Sequence, residues 1–143
     1  KSHSDSQIFT SLNRAGKRLA PRLLAEWGDN RERFSSAKEV QALAGTSPTP
    51  YQSGKLSCPH FRWSCVKDFR YVMHGYAWQS TFVEPWALAF YQRKRTEGKR
   101  HHEAVRALSN IWVRIIFAIW QYREPYNRET FLNAQKAHQR KIA

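Results

Sequence analysis

The residues with the most chemical reach in this chain fall into three groups. Near the start, Ser11-Leu12-Asn13-Arg14-Ala15-Gly16-Lys17-Arg18 runs on through Arg22 to Gly28. A short turn around Gly16 that opens a helix leaves amides unbonded at the positive end of the helix dipole, a natural seat for a phosphate. Gly16, Lys17, Arg18 and Arg22 are the residues that would contact it, although an ordinary glycine-containing helix turn fits the same sequence. The second group is Tyr51-Gln52-Ser53-Gly54-Lys55. A serine hydroxyl is a weak nucleophile until a base or an electrostatic environment activates it, and serine before glycine is normally turn chemistry. In this stretch Gly54 permits close approach of a backbone, and Lys55, His60 and Arg62 are the neighbouring cations available to offset the charge of a phosphate. The third group is Cys58, His60, Cys65 and His74, all metal-ligand types. Zinc commonly takes a close cysteine pair followed by a distant second pair; this spacing does not match, and no metal site is expected. His101-His102 is no better, since adjacent helical residues diverge by roughly 100°.

The elements that must hold these groups read as helices. Leu19, Leu23, Leu24 and Trp27 recur at helical spacing, with Gly28 where a C-terminal cap is common. Ser36 followed by Glu39 reads as a capping box that starts a helix carrying Val40, Leu43 and Ala44 and ending at Gly45. Thr46 to Lys55 holds two prolines and a glycine and reads as an irregular loop. From Phe61 to about Thr81 the aromatics are too closely spaced for one face, so that helix is buried on more than one side. Pro85 suits a first helical turn, with Trp86, Ala89 and Phe90 inward and Gly98 closing the element. Ala104, Leu108, Ile111, Ile115 and Ile119 form the stripe of a core helix, widened by Trp112, Phe117 and Trp120. Pro125 stops it, Asn127 caps a last helix with Phe131 and Leu132, and the tail from Lys136 is expected to fray. No strand and no repeat is read. The expected fold is all-α, a single domain of at least five helices with a long, aromatic-rich core helix.

Composition sets the outer limits. The chain has 143 residues, 41% of them apolar and 14% aromatic, enough for one folded core and against disorder as the main state. Lys and Arg number 24 against 11 acids, a net charge of +13 that points to a polyanionic partner, nucleic acid first. The charge is uneven. No acid lies between Asp5 and Glu26 or between Glu39 and Asp68, and a third basic cluster, Arg93-Lys94-Arg95 with Lys99-Arg100-His101-His102, contains only Glu97. Two cysteines suit a reducing compartment. No secretion signal is read, and the longest apolar run, Ile111 to Trp120, is interrupted by Arg114 and far shorter than the roughly 20 residues of a membrane span.

The order Leu23-Leu-Ala-Glu-Trp-Gly-Asp29, Arg33-Phe-Ser35, Glu39-Val-Gln-Ala-Leu-Ala-Gly45, Ser47-Pro48 and Ser53-Gly-Lys55 resembles the C-terminal transposase domain of the IS one-ten insertion-sequence family. Gly98-Lys-Arg-His-His-Glu-Ala-Val-Arg-Ala-Leu108 and Pro125-Tyr126 continue the match over nearly the whole chain. The stretch around Gly16 also looks like a helix-hairpin-helix motif, which grips a nucleic-acid backbone without reading sequence, with Asn13 and Arg14 where proline and glycine are often seen. The resemblance implies that Ser53 attacks a DNA phosphate, and that full-length members join this domain to an N-terminal RuvC-like nuclease domain whose acidic residues hold Mg²⁺. It further implies DNA and a guide (bridge) RNA as partners, a homo-oligomer, and a bacterial, cytoplasmic, nucleoid-associated location with no membrane contact. The three Asp and eight Glu here are scattered, with no strand pattern to seat a RuvC-like site. The chain is therefore read as the excised domain, with a hairpin-like part (1–45), a serine loop (46–60) and a helical core (61–143), no cofactor of its own and no activity expected in isolation.

Overall fold

Apolar residues recurring every three or four positions become helices throughout the described residues, 5–46 and 66–142 of the computed structural model. In chain order these are α1 (Ser6–Thr10), α2 (Gly16–Trp27), α3 (Ala37–Ala44), α4 (Lys67–Ser80), α5 (Pro85–Thr96), α6 (His101–Tyr122) and α7 (Arg128–Ile142). Among the described residues every element is helical, and none is long and apolar enough to cross a membrane.

The ends follow from local chemistry. Gly45 takes a left-handed conformation after α3, where its amide and that of Thr46 satisfy carbonyls of the last turn. Pro85 opens α5, and Asn127 caps α7 by accepting the amides of Glu129 and Thr130 at 2.9 and 3.2 Å. Several expectations need correction. α4 begins at Lys67, after Val66 in extended backbone, where the aromatic run pointed to a start at Phe61. Ser36 makes no side-chain cap; Glu39 turns back one residue further and accepts both the amide and the hydroxyl of Ser35, at 2.9 and 2.7 Å. The fully buried face of α6 is Ala104, Leu108, Trp112, Val113, Ile116 and Trp120, whereas Ile111, Ile115 and Ile119 are only half-buried. The face turns because α6 packs on α3, α4 and α5, so the large rings at 112 and 120 claim the centre. On α5 the fully buried residue is Ala87 and Ala89 is exposed, since one small side chain is what close packing on α6 admits. The last helix, α7, extends to Ile142.

α4 is the hub, packed on α2, α3, α5 and α6, which accounts for its crowded aromatics. At one end Trp27 meets Phe69, Trp120 and Phe34 at ring separations of 5.5, 5.4 and 6.1 Å. At the other, Tyr76 stands edge-on to Trp112 at 4.9 Å, and Trp86 bridges Trp112 and Phe131 at 5.0 and 4.6 Å. Such pairs add about 0.5–1.5 kcal/mol each beyond the area they bury. Two of the buried indole N–H groups are fixed, Trp112 donating to the Ser80 hydroxyl and Trp120 to the Gly28 carbonyl, both at 2.9 Å, whereas Trp27 Nε1 has no hydrogen-bond partner among the described residues.

Two buried carboxylates tie the helices into one body. Asp5 receives a two-pronged pair from Arg31, at 2.6 and 2.9 Å, while Arg31 also donates to the Trp120 carbonyl. Glu84, 1% exposed, accepts from Asn13 at 2.6 Å, from the Tyr126 hydroxyl at 3.2 Å and from Arg128 at 2.7 Å. Removing the carboxylate takes the acceptor from Asn13, Tyr126 and Arg128 but strands no buried charge, since the Arg128 side chain is 40% exposed, so Glu84→Ala is expected to lower unfolding stability by about 1–3 kcal/mol. Urea unfolding reads the change; a loss under about 1 kcal/mol would mean that Asn13, Tyr126 and Arg128 hold the junction without the carboxylate.

Candidate functional site

The turn between α1 and α2 is built to be held rigid. Ser11 donates to the Ile8 carbonyl and accepts the Tyr126 amide at 2.7 Å, Leu12 and Ala15 are buried, and the Asn13 carbonyl accepts the Tyr76 hydroxyl at 2.9 Å. Burial pushes that hydroxyl's pKa well above the ordinary tyrosine range, so it remains a donor. Arg14 sits at φ +71°, in the left-handed region that favours glycine, at a cost of roughly 1–2 kcal/mol. Its side chain offsets this: Nε donates to Gln79 Oε1 at 2.8 Å and the guanidinium lies 5.1 Å from the centre of the Phe82 ring.

Beyond it Gly16 opens α2 with no side-chain cap and no acid in the first turn, leaving the positive end of the helix uncompensated. Lys17, Arg18 and Arg22 are exposed there, and none has a carboxylate within ion-pair distance among the described residues. A groove of about 460 Å³ runs between these cations and α4, floored by Gly75 and Gln79. The structure thus brings Gly16, Lys17, Arg18 and Arg22 together on one surface. Sequence reasoning missed Gly75 and Gln79. A glycine inside a helical pattern, about 1 kcal/mol worse than alanine, was the available signal: a Cβ at Gly75 would point at Leu19 of α2, 4.0 Å away, and into the groove.

Ser53, Gly54, Lys55, His60 and Arg62 lie outside the described residues, as do Cys58 and Cys65. The two residues that flank them are well placed. Thr46, fully buried, donates through its hydroxyl to Asn110 Oδ1 at 2.8 Å, and its carbonyl accepts Arg106 Nη1 at 3.0 Å. Val66 donates its amide to the Leu43 carbonyl at 2.8 Å. The chain therefore departs from and returns to the C-terminal end of α3, under a clamp from α6 that sequence reasoning did not find, because Arg106 and Asn110 read only as the polar side of a helix.

Beside that clamp stands His74 of α4. Burial, then the charges of Arg70, Arg106 and His102, lower its pKa to about 4, and its Nε2 is buried with no hydrogen-bond partner among the described residues. Of the four residues considered for zinc it alone is described, and among the described residues no three His, Cys, Asp or Glu side chains converge as a metal site. His101 is engaged in packing, sharing a 2.7 Å hydrogen bond with Tyr91 and standing edge-on to Trp78 at 4.8 Å. A second cavity, about 580 Å³ and mostly apolar, lies between α6 and α7 against Ile115, Ile119, Tyr126 and Phe131.

Residues 6–92 match the family model described as Transposase IS116/IS110/IS902 family. The mini-circle putative transposase for IS117 of Streptomyces coelicolor is 32% identical over 131 residues, which cover 90% of this chain and 31% of that protein. The insertion element IS900 uncharacterized 42 kDa protein of Mycobacterium paratuberculosis is 32% identical over 130 residues, 90% of this chain and 32% of that protein. The chain spans about a third of the length of these curated relatives.

The state of His74 has a thermodynamic consequence. Between about pH 4 and pH 6.5 the unfolded chain binds a proton at this residue that the folded chain does not, so stability is complete above the unfolded value and falls as pH drops toward 4. The loss is at most about 3 kcal/mol. Glu39 and Glu103, held below the usual carboxylate range by their bonds to Ser35 and Arg100, act only lower on the scale. Urea unfolding between about pH 7 and pH 5 is expected to show the slope in the wild type and a flatter one in His74→Asn; parallel profiles would clear His74 as its source.

Proposed function

The chain belongs to the IS116/IS110/IS902 family of transposases, and from that premise we propose that it supplies the attacking serine and part of the backbone-gripping surface of a DNA transposase. Ser53 Oγ attacks a backbone phosphate in line with the leaving 3′ oxygen. The bond from phosphorus to Oγ forms as the bond to the 3′ oxygen breaks, the serine proton passes to solvent or a neighbouring base, and the departing 3′ oxygen takes a proton from solvent to become a free hydroxyl. The phosphoserine link conserves the energy of the broken ester, so the same hydroxyl or that of another strand can reverse the step. Lys55, Arg62 and His60 offset charge on the phosphate. Among the described residues no set of His, Cys, Asp or Glu side chains converges to hold a Mg²⁺, which would belong to a RuvC-like domain.

The observation that carries the reading is the cation-lined groove at the start of α2, which engages phosphates of DNA or of a guide RNA without reading bases, as an uncapped helix end with Lys17, Arg18 and Arg22 would. The clamp from Arg106 and Asn110 holds Thr46, the described residue that precedes the segment carrying Ser53. A second reading, a nucleic-acid-binding module without chemistry, draws on the same groove and needs no serine. In the full-length protein, with its partner domain and guide, Ser53→Ala is expected to abolish strand cleavage and the covalent adduct while leaving DNA binding nearly intact; recombination by this variant would leave only the second reading. Lys17→Ala with Arg18→Ala is expected to weaken duplex binding about tenfold, independent of sequence, and to reduce the salt dependence by about two phosphate contacts. Unchanged affinity would remove the groove from the interface.

A further inference from the structure

A row of side chains in cation–π and edge-to-face contact leaves the groove and crosses the surface of α4. The Arg14 guanidinium is 5.1 Å from the Phe82 ring centre, Phe82 is 5.3 Å from Trp78, and Trp78 is 4.8 Å from His101 and 5.4 Å from Tyr91. Phe82 stands in the turn between α4 and α5 with 57% of its surface exposed. One exposed aromatic is unremarkable on a protein surface. This one is continuous with a cationic groove at one end and, at the other, with the turn into α6, where Lys99, Arg100 and His102 are exposed. The nearby acids are engaged elsewhere: Glu97 with Arg93 and Lys94 at 3.8 and 3.5 Å, and Glu103 with the Arg100 amide at 3.0 Å.

Cations at both ends of an aromatic row are what an unpaired nucleic-acid strand requires. Phosphates take the charges, and a base takes the ring, whatever its identity, because every base has a π-face. A duplex cannot use the ring, since its bases are already stacked. We infer that Arg14, Phe82 and Trp78, between the α2 groove and the start of α6, form a binding platform for unpaired DNA or RNA, with Phe82 stacking on a base. This rests on the nucleic-acid reading above and adds the strandedness of the ligand. The hydrogen bond from Arg14 to Gln79 sets the cation over one side of Phe82, and the edge-on Trp78 fixes the ring in place.

The test measures affinity of the 143-residue chain for three probes: a single-stranded DNA, an RNA of the same sequence, and the corresponding DNA duplex. Phe82→Leu keeps the apolar volume without the π-face, and the exposure of the site makes loss of folding no obstacle. It is expected to weaken single-strand binding about 5- to 100-fold, the range one base stack carries, with duplex binding unchanged and Phe82→Tyr close to wild type. A loss on one single strand only identifies that strand as the ligand. Single-strand affinities within about twofold of wild type in Phe82→Leu, or a loss shared equally by the duplex, would overturn the platform while leaving the backbone groove standing. Failure of the wild type to bind any of the three would remove both.

Discussion

The carboxylate of Glu84 is the point on which the described structure closes. A charge withdrawn from water this completely requires partners, because desolvation alone costs several kcal/mol, and it takes three from two distant parts of the chain: the Asn13 amide from the turn before α2, and the Tyr126 hydroxyl and Arg128 guanidinium from the entry to α7. Its own backbone sits at the entry to α5, receiving the amides of Ala87 and Leu88. The turn that carries the basic groove is thereby tied to the core by a hydrogen bond to a charged acceptor as well as by packing. Tyr126 is shared, since it also accepts the Trp86 indole at 3.3 Å, and burial pushes its hydroxyl up to about 12, so it stays protonated and donating.

From that junction α4 distributes the surfaces. Successive residues on a helix turn by 100°, so Gly75 and Gln79 face α2 and floor the groove, while Arg70, His74 and Trp78 look toward the start of α6. The buried positions Phe69, Met73, Tyr76, Ala77 and Ser80 fill what remains. A helix used on every side cannot show one apolar stripe. Its weak amphipathicity and its internal glycine record that use.

Much of the architecture was legible because it depends on neighbours in sequence. The C-terminal ends at Gly28 and Gly45, the start at Pro85, the cap at Asn127 and the all-helical class follow from local rules and are present. The short α1 gave no periodic signal over five residues, and its place is set by long-range bonds such as that between Ser11 and Tyr126. The rotation of α6 was invisible because isoleucine and tryptophan score alike as apolar, and only the shape of the space between helices decides which goes deepest. At the candidate site the cations of α2 were legible as a charge run, whereas Arg14 over Phe82, the Arg106 clamp and the isolation of His74 arise from contacts between helices. The serine reading came from the order of residues in a family pattern, not from physics of the segment itself.

The bonds to Glu84 join residues 71, 42 and 44 positions apart, and this has a temporal meaning. A chain made from its N-terminus presents Asn13 first, Glu84 long afterwards and Arg128 last. Until Arg128 has emerged, burying Glu84 would strand a charge, so α1, α2 and α4 can approach but their junction has no stable closed form. Loop-closure entropy likewise delays contacts of such separation relative to the formation of single helices. The junction therefore depends on all three segments at once, and the basic turn before α2 acquires its full set of bonds only with the start of α7 in place.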